Sequence, residues 1–239
     1  MEFKSASSIN SFVDRVNSLR AAGNLNEALI AASEVVEKTQ QFLNEGLSSV
    51  DAYASALEVR GDINLHLGKY EASCNDYEKA IEKLQNRIER FPQIGRLHAT
   101  TGSAYDALGD EDKAISHWQK GMEFFEHSKP VLLLDVAAMA NNLGFTAKVS
   151  GDLETAEAYF LRALQIANSE LGQEHEQTAT ISSNLAALYQ TAGYYEKSRE
   201  MHMIALETRR NILGEDHPDT AQSHNNLALA LLNTGDRSW

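Results

Sequence analysis

The sequence is poor in the residues that would tie, break or anchor a chain. Its 239 residues include one cysteine, Cys74. No internal disulfide can form, and a reducing, cytoplasmic setting suits it. Pro92, Pro130 and Pro218 are the three prolines, and each falls between repeats, leaving long stretches free to be helical. Cations are scarce: 21 Lys and Arg stand against 34 Asp and Glu, a net charge of −13. That balance opposes nucleic-acid binding, which needs clustered cations to displace counterions, and attraction to anionic lipid. Solubility is the plain reading of the excess. No apolar run approaches the ~20 residues that span a bilayer. The most apolar stretch, Val131 to Ala140, is interrupted by Asp135. The first residues, Met1 to Ser8, lack the apolar core of a signal peptide.

A six-residue pattern, Gly-x-x-x-x-Ala/Ser, recurs instead. It begins at Gly23, Gly68, Gly109, Gly151 and Gly193, with a clipped copy from Gly235 to Trp239. The spacings are 45, 41, 42, 42 and 42 residues. A fixed period of this size signals stacked supersecondary units, each burying its face only against its neighbours. With 43% hydrophobic residues there is ample material for a core.

Within one period, Ala140, Leu143, Gly144 and Ala147 and then Ala156, Phe160 and Ala163 are spaced by three or four, the stripe of an amphipathic helix. Gly151 separates the groups and can take the left-handed conformation that ends a helix. Asp152 is placed to cap the next one. The period predicts helix–turn–helix. Gly144 inside the first helix costs about 1 kcal/mol relative to Ala. Gly61, Gly102, Ala186 and Ala228 share its position, so close helix approach is expected there, with Tyr77, Trp118 and Phe160 as the large residues between.

Leu143-Gly144-x-x-Ala147 followed by Ala156-x-x-x-Phe160-x-x-Ala163 resembles the tetratricopeptide repeat (TPR). The resemblance implies an all-α, right-handed superhelix of about five and a half repeats, one solenoid over 1–239. The repeats are placed at 9–50, 54–90, 95–128, 137–170, 179–212 and, in part, 221–239. Leu213-Gly-Glu-Asp-His217-Pro-Asp-Thr-Ala221 leading into Asn225-Asn226-Leu227-Ala228, its counterpart from Leu171 to Ala186, and Arg209-Arg210 between them are similar to kinesin light chain repeats. The free-standing bacterial kinesin light chain-like proteins are the nearer likeness, since helix begins by about Ile9 without a preceding heptad coiled coil. That resemblance implies a cytoplasmic, cytoskeleton-associated scaffold whose partner is a tubulin-like filament. A peptide-binding adaptor or co-chaperone is the other reading.

Stacked helix pairs make a concave face lined by the first helix of each pair. The inward positions of the regular half are Asn141, Phe145 and Lys148; Ser183 and Gln190 (with Ala187); and Asn225, Leu229 and Leu232. Amide side chains donate and accept at once, so they can hold an extended backbone whatever its sequence. The resemblance gives groove asparagines that part, matched here by Asn141 and Asn225 but not by Ser183. These amides could equally satisfy neighbouring helix ends. Three further patches are candidates for contact. Leu132, Leu133 and Leu134 replace the polar linker residues Glu174, His175 and Glu176, and either mark a contact surface or fold over Phe124 and Phe125. Arg209 and Arg210 form a basic spot. Trp239 ends a repeat whose second helix is missing, so that self-association or a partner could cover it.

Nothing points to catalysis, a cofactor or a metal. His175 and His217 are repeat equivalents and fit a capping role. Met201-His202-Met203 spreads round a helix, with His202 in the large core position. No cysteine pair has zinc spacing, and no phosphate-binding glycine loop or nucleophile elbow is present. Cys74 is expected as an inert buried thiol.

Overall fold

The computed structural model describes residues 6–234, with side chains from 13 to 233. It is all-α, with eleven α-helices and no strand among the described residues. The chain divides into two compact units at Pro130 and Val131.

The first unit holds α1 (Ala6–Ala21), α2 (Leu25–Asn44), α3 (Val50–His66), α4 (Tyr70–Leu84), α5 (Phe91–Leu108) and α6 (Glu111–Glu126). Each helix packs on the next. Its core is continuous: Val16, Val36, Leu57, Ile63, Tyr77, Leu84, Ile94 and Leu97 are all buried. The second unit holds α7 (Leu133–Ser150), α8 (Leu153–Leu171), α9 (Glu176–Thr191), α10 (Tyr195–Leu213) and α11 (Pro218–Thr234). Phe160, Leu185, Leu188 and Tyr189 centre one of its clusters. The described residues hold five helix pairs, α1/α2 to α9/α10, and one further helix, α11. Leu133 and Leu134 lie in the first turn of α7 rather than in a linker. Their apolar character continues the stripe that buries Val136, Ala137 and Ala140.

The repeated glycines have two physical roles. The turn glycine ends the first helix: Gly151 has φ +86°, and the side chain of Asp152 accepts from the Thr155 N–H as cap of the next helix. The mid-helix glycines admit a ring. A Cβ on Gly144 would stand 2.9 Å from the Phe160 ring, and one on Gly102 2.5 Å from Trp118. The propensity lost at these glycines is offset by burying a large aromatic face against bare backbone.

Candidate protein-interaction site

The first helices of the second unit, α7, α9 and α11, carry the predicted groove positions. Their side chains divide into those that face solvent and those that hold the helices together. Phe145 is 50% exposed and Leu229 and Leu232 are 54% and 65% exposed, far more than single core residues would be. The Lys148 Nζ lies 5.0 Å from the centre of the Phe145 ring. Burial of its stem pushes the Lys148 ammonium below its usual range. Asn225 is exposed, and Gln190 is half-buried.

Asn141 and Ser183 differ. The Asn184 side chain donates from Nδ2 to Asn141 Oδ1 at 2.9 Å, tying α9 to α7 and engaging the acceptor that a bound backbone would need. Ser183 is 8% exposed, and its hydroxyl has no partner within the fold. Asn184 was missed by the sequence reading. Its signal was the one-residue offset of the Asn184-Leu185 pair from Asn141, which puts the two amides within reach across adjacent first helices.

The basic spot resolves into two unlike residues. Arg209 is not a surface cation: it is 8% exposed and donates to Ser223 Oγ at 2.7 Å and to Thr180 Oγ1 at 2.9 Å. It sits where the earlier repeats carry Leu84, Phe125 and Ala167, all buried, so the helix register directs it inward. Only Arg210 is exposed, paired with Glu215 at 2.7 Å. Glu215 also meets His224 Nε2 at 2.9 Å, and that bond and Arg210 hold its carboxyl below the usual range. Leu133 is 38% exposed, with Leu132 and Leu134 half-buried. Trp239 lies outside the described residues.

The remaining histidines and the cysteine take structural places. His175 and His217 each accept a backbone N–H through Nδ1, from Gln177 at 3.1 Å and Asp219 at 3.2 Å, and so cap α9 and α11. His202 is 2% exposed in the large core position. Cys74 is 2% exposed, and burial pushes its thiol up to about 11. Among the described residues no three His, Cys, Asp or Glu side chains are placed to hold a metal ion, and no helix is long and apolar enough to cross a membrane.

Paired helices, turn glycines and ring-on-glycine packing repeated along the chain define an α-helical repeat protein. Sequence profiles described as tetratricopeptide repeat match residues 135–203 and 180–238, and a further one matches 54–82. The chain belongs to the tetratricopeptide repeat family. No curated protein matches the sequence. Among solved structures it is similar to BtubC (BKLC) from P. vanneervenii, with TM-score 0.72 and 24% identity, over 89% of this chain and 85% of that one. It is also similar to the nearly identical TPR-like repeats of a kinesin light chain from Podospora anserina, with TM-score 0.70 and 16% identity, over 88% and 99%. The apo form of RapI gives TM-score 0.71 and 12% identity, over 95% and 72%. At these identities the likeness is one of fold.

Proposed function

We propose that this chain is a non-enzymatic protein-interaction scaffold of the kinesin light chain-like kind, an accessory that binds a tubulin-like filament in the cytoplasm. The observation that carries the scaffold reading is the outward row of Phe145, Leu229 and Leu232 on first helices, beside the amides of Asn225 and Gln190. Large apolar side chains left in solvent at these groove positions favour a protein partner over a small substrate, and second helices expose others, Met203 at 53% among them. The choice of filament rests on the kinesin light chain-like linkers around His175 and His217. With a net charge of −13, contact is expected away from acidic filament tails. Co-pelleting with a polymerised tubulin homologue tests it: the chain should sediment with polymer, and retention in the supernatant at low salt would remove its main support.

The exposed amide of Asn225 favours a second reading, an adaptor that holds extended peptides. There Asn225→Ala should weaken peptide binding without unfolding the chain, and Asn141→Ala should do so as well while loosening the bond to Asn184. Unchanged affinity in both variants would reject that groove.

A further inference from the structure

Arg209 carries a charge into a joint that earlier repeats fill with apolar side chains. It is 8% exposed and stands where α4, α6 and α8 place Leu84, Phe125 and Ala167. A guanidinium keeps its charge inside a protein, and a buried charge without an opposite one is costly. Its two bonds reach neutral hydroxyls, Ser223 Oγ on α11 at 2.7 Å and Thr180 Oγ1 on α9 at 2.9 Å. Among the described residues it forms no ion pair, and its Nε–H is buried without a partner.

Arg60 shows what the same edge of the group takes elsewhere in this chain. There Nε and Nη2 both donate to the Asp76 carboxylate, Nε at 2.8 Å. On Arg209, Nη2 meets a hydroxyl and Nε meets no acceptor. Ser183 lies one turn beyond Thr180 on the same face of α9. Its hydroxyl is also buried without a partner. A fixed positive charge beside N–H and O–H donors is the donor set that receives an anion. The charge is felt nearby, since burial and then Arg209 lower His202 to about 4.

We propose that the joint of α9, α10 and α11 binds a small inorganic anion of chloride size, held at the Nε edge of Arg209 with the hydroxyls of Thr180 and Ser183. The size follows from burial: a guanidinium 8% exposed admits an ion and not a peptide side chain. Thr180 is half-buried, so the ion enters beside α9. The anion offsets the charge that ties α11 to α9, and its removal loosens α11. The site needs no protein partner and stands apart from the exposed row of Phe145, Leu229 and Leu232.

The test uses the full chain and chloride itself, at constant ionic strength with gluconate as the replacement anion. The chloride NMR line should broaden on adding protein, and the broadening should saturate. For an affinity on the order of 10 mM, about 150 mM chloride should raise the folded-to-unfolded ratio about fifteenfold over gluconate, read from urea midpoints. Arg209→Met should abolish both effects and fold at least as well as the parent in gluconate, because the equivalent joints are apolar. Ser183→Ala should weaken the broadening several-fold and serves if the methionine variant does not fold. Equal midpoints in chloride and gluconate would overturn the proposal. So would a chloride dependence that persists in Arg209→Met, which would make it a general salt effect. Binding of acetate without binding of chloride would mark a seat for a carboxylate and reject the inorganic anion.

Discussion

His98 on α5 and His117 on α6 meet nitrogen to nitrogen, Nδ1 to Nδ1 at 3.0 Å, with His98 stacked on Phe124 at 5.6 Å between ring centres. Only one of the two can donate, so the contact holds while the pair keeps a proton to share and fails when both nitrogens carry one. His117 Nε2 lies 3.5 Å from Glu78, which also accepts from Tyr105 at 2.7 Å.

Acid should therefore loosen the first unit. Burial, then the neighbouring His117 and Lys120, push His98 from 6.5 down to about 3. Burial also lowers His117, opposed by Glu78 and assisted by Lys120 and Lys113. A histidine with a depressed folded value lends stability that is complete above its unfolded value and is lost as pH falls from there toward the folded one. The loss is about 1.4 kcal/mol per pH unit for each group within its window. Urea midpoints at pH 7.5, 6 and 5 should fall, and His98→Phe should flatten the dependence. An unchanged slope would show that other groups set it.

His202 offers the reverse experiment. Both its ring nitrogens are buried without a partner, and burial with Arg209 nearby lowers it to about 4. Its equivalents are Tyr77, Trp118 and Phe160. His202→Phe should stabilise the second unit by about 1–3 kcal/mol through removal of unsatisfied polar atoms. A lower melting temperature would contradict this.

Gly144→Ala should destabilise despite a better helix propensity of about 1 kcal/mol. The new methyl would press on Phe160 at 2.9 Å, and overpacking a fixed ring costs about 1–3 kcal/mol. Combining it with Phe160→Leu should recover part of the loss, which a double-mutant cycle in denaturant measures.

Arg209 and Arg210 should part company. Arg209→Ala removes two charge-assisted bonds, each worth about 1.5–3 kcal/mol, and frees α11 from α9. Hydrogen exchange in α11 should quicken. Arg210→Ala breaks an exposed pair worth at most about 1 kcal/mol and should leave exchange unchanged.

That contrast shows where sequence reading reaches and where it stops. Helix pairs, the Asp152 cap and the histidine caps were legible because each is local: a spacing, a turn, a neighbour two or three residues on. Arg209 read as surface because it was taken with Arg210 as a basic dipeptide. Aligned by repeat it stands with Leu84, Phe125 and Ala167, and its burial follows. The Asn141–Asn184 bond and the His98–His117 contact depend on how neighbouring helices meet, which periodicity within one helix does not encode.

The last joint exchanges size between its partners. Where the third, fourth and fifth repeats place Leu97, Met139 and Ile181 on the first helix, Ser223 is small, and where the second, third and fourth place Leu84, Phe125 and Ala167 on the second, Arg209 is long and charged. The part to keep together is then a second helix with the first helix that follows it, which successive turn glycines bracket, and not the helix pair that each turn glycine divides. A chimera cut at Gly193 keeps Arg209 with Ser223 and parts it only from Thr180. One cut between α10 and α11 strands a guanidinium in a dry interface, so recombination that respects the visible repeat will succeed where recombination at its linker fails.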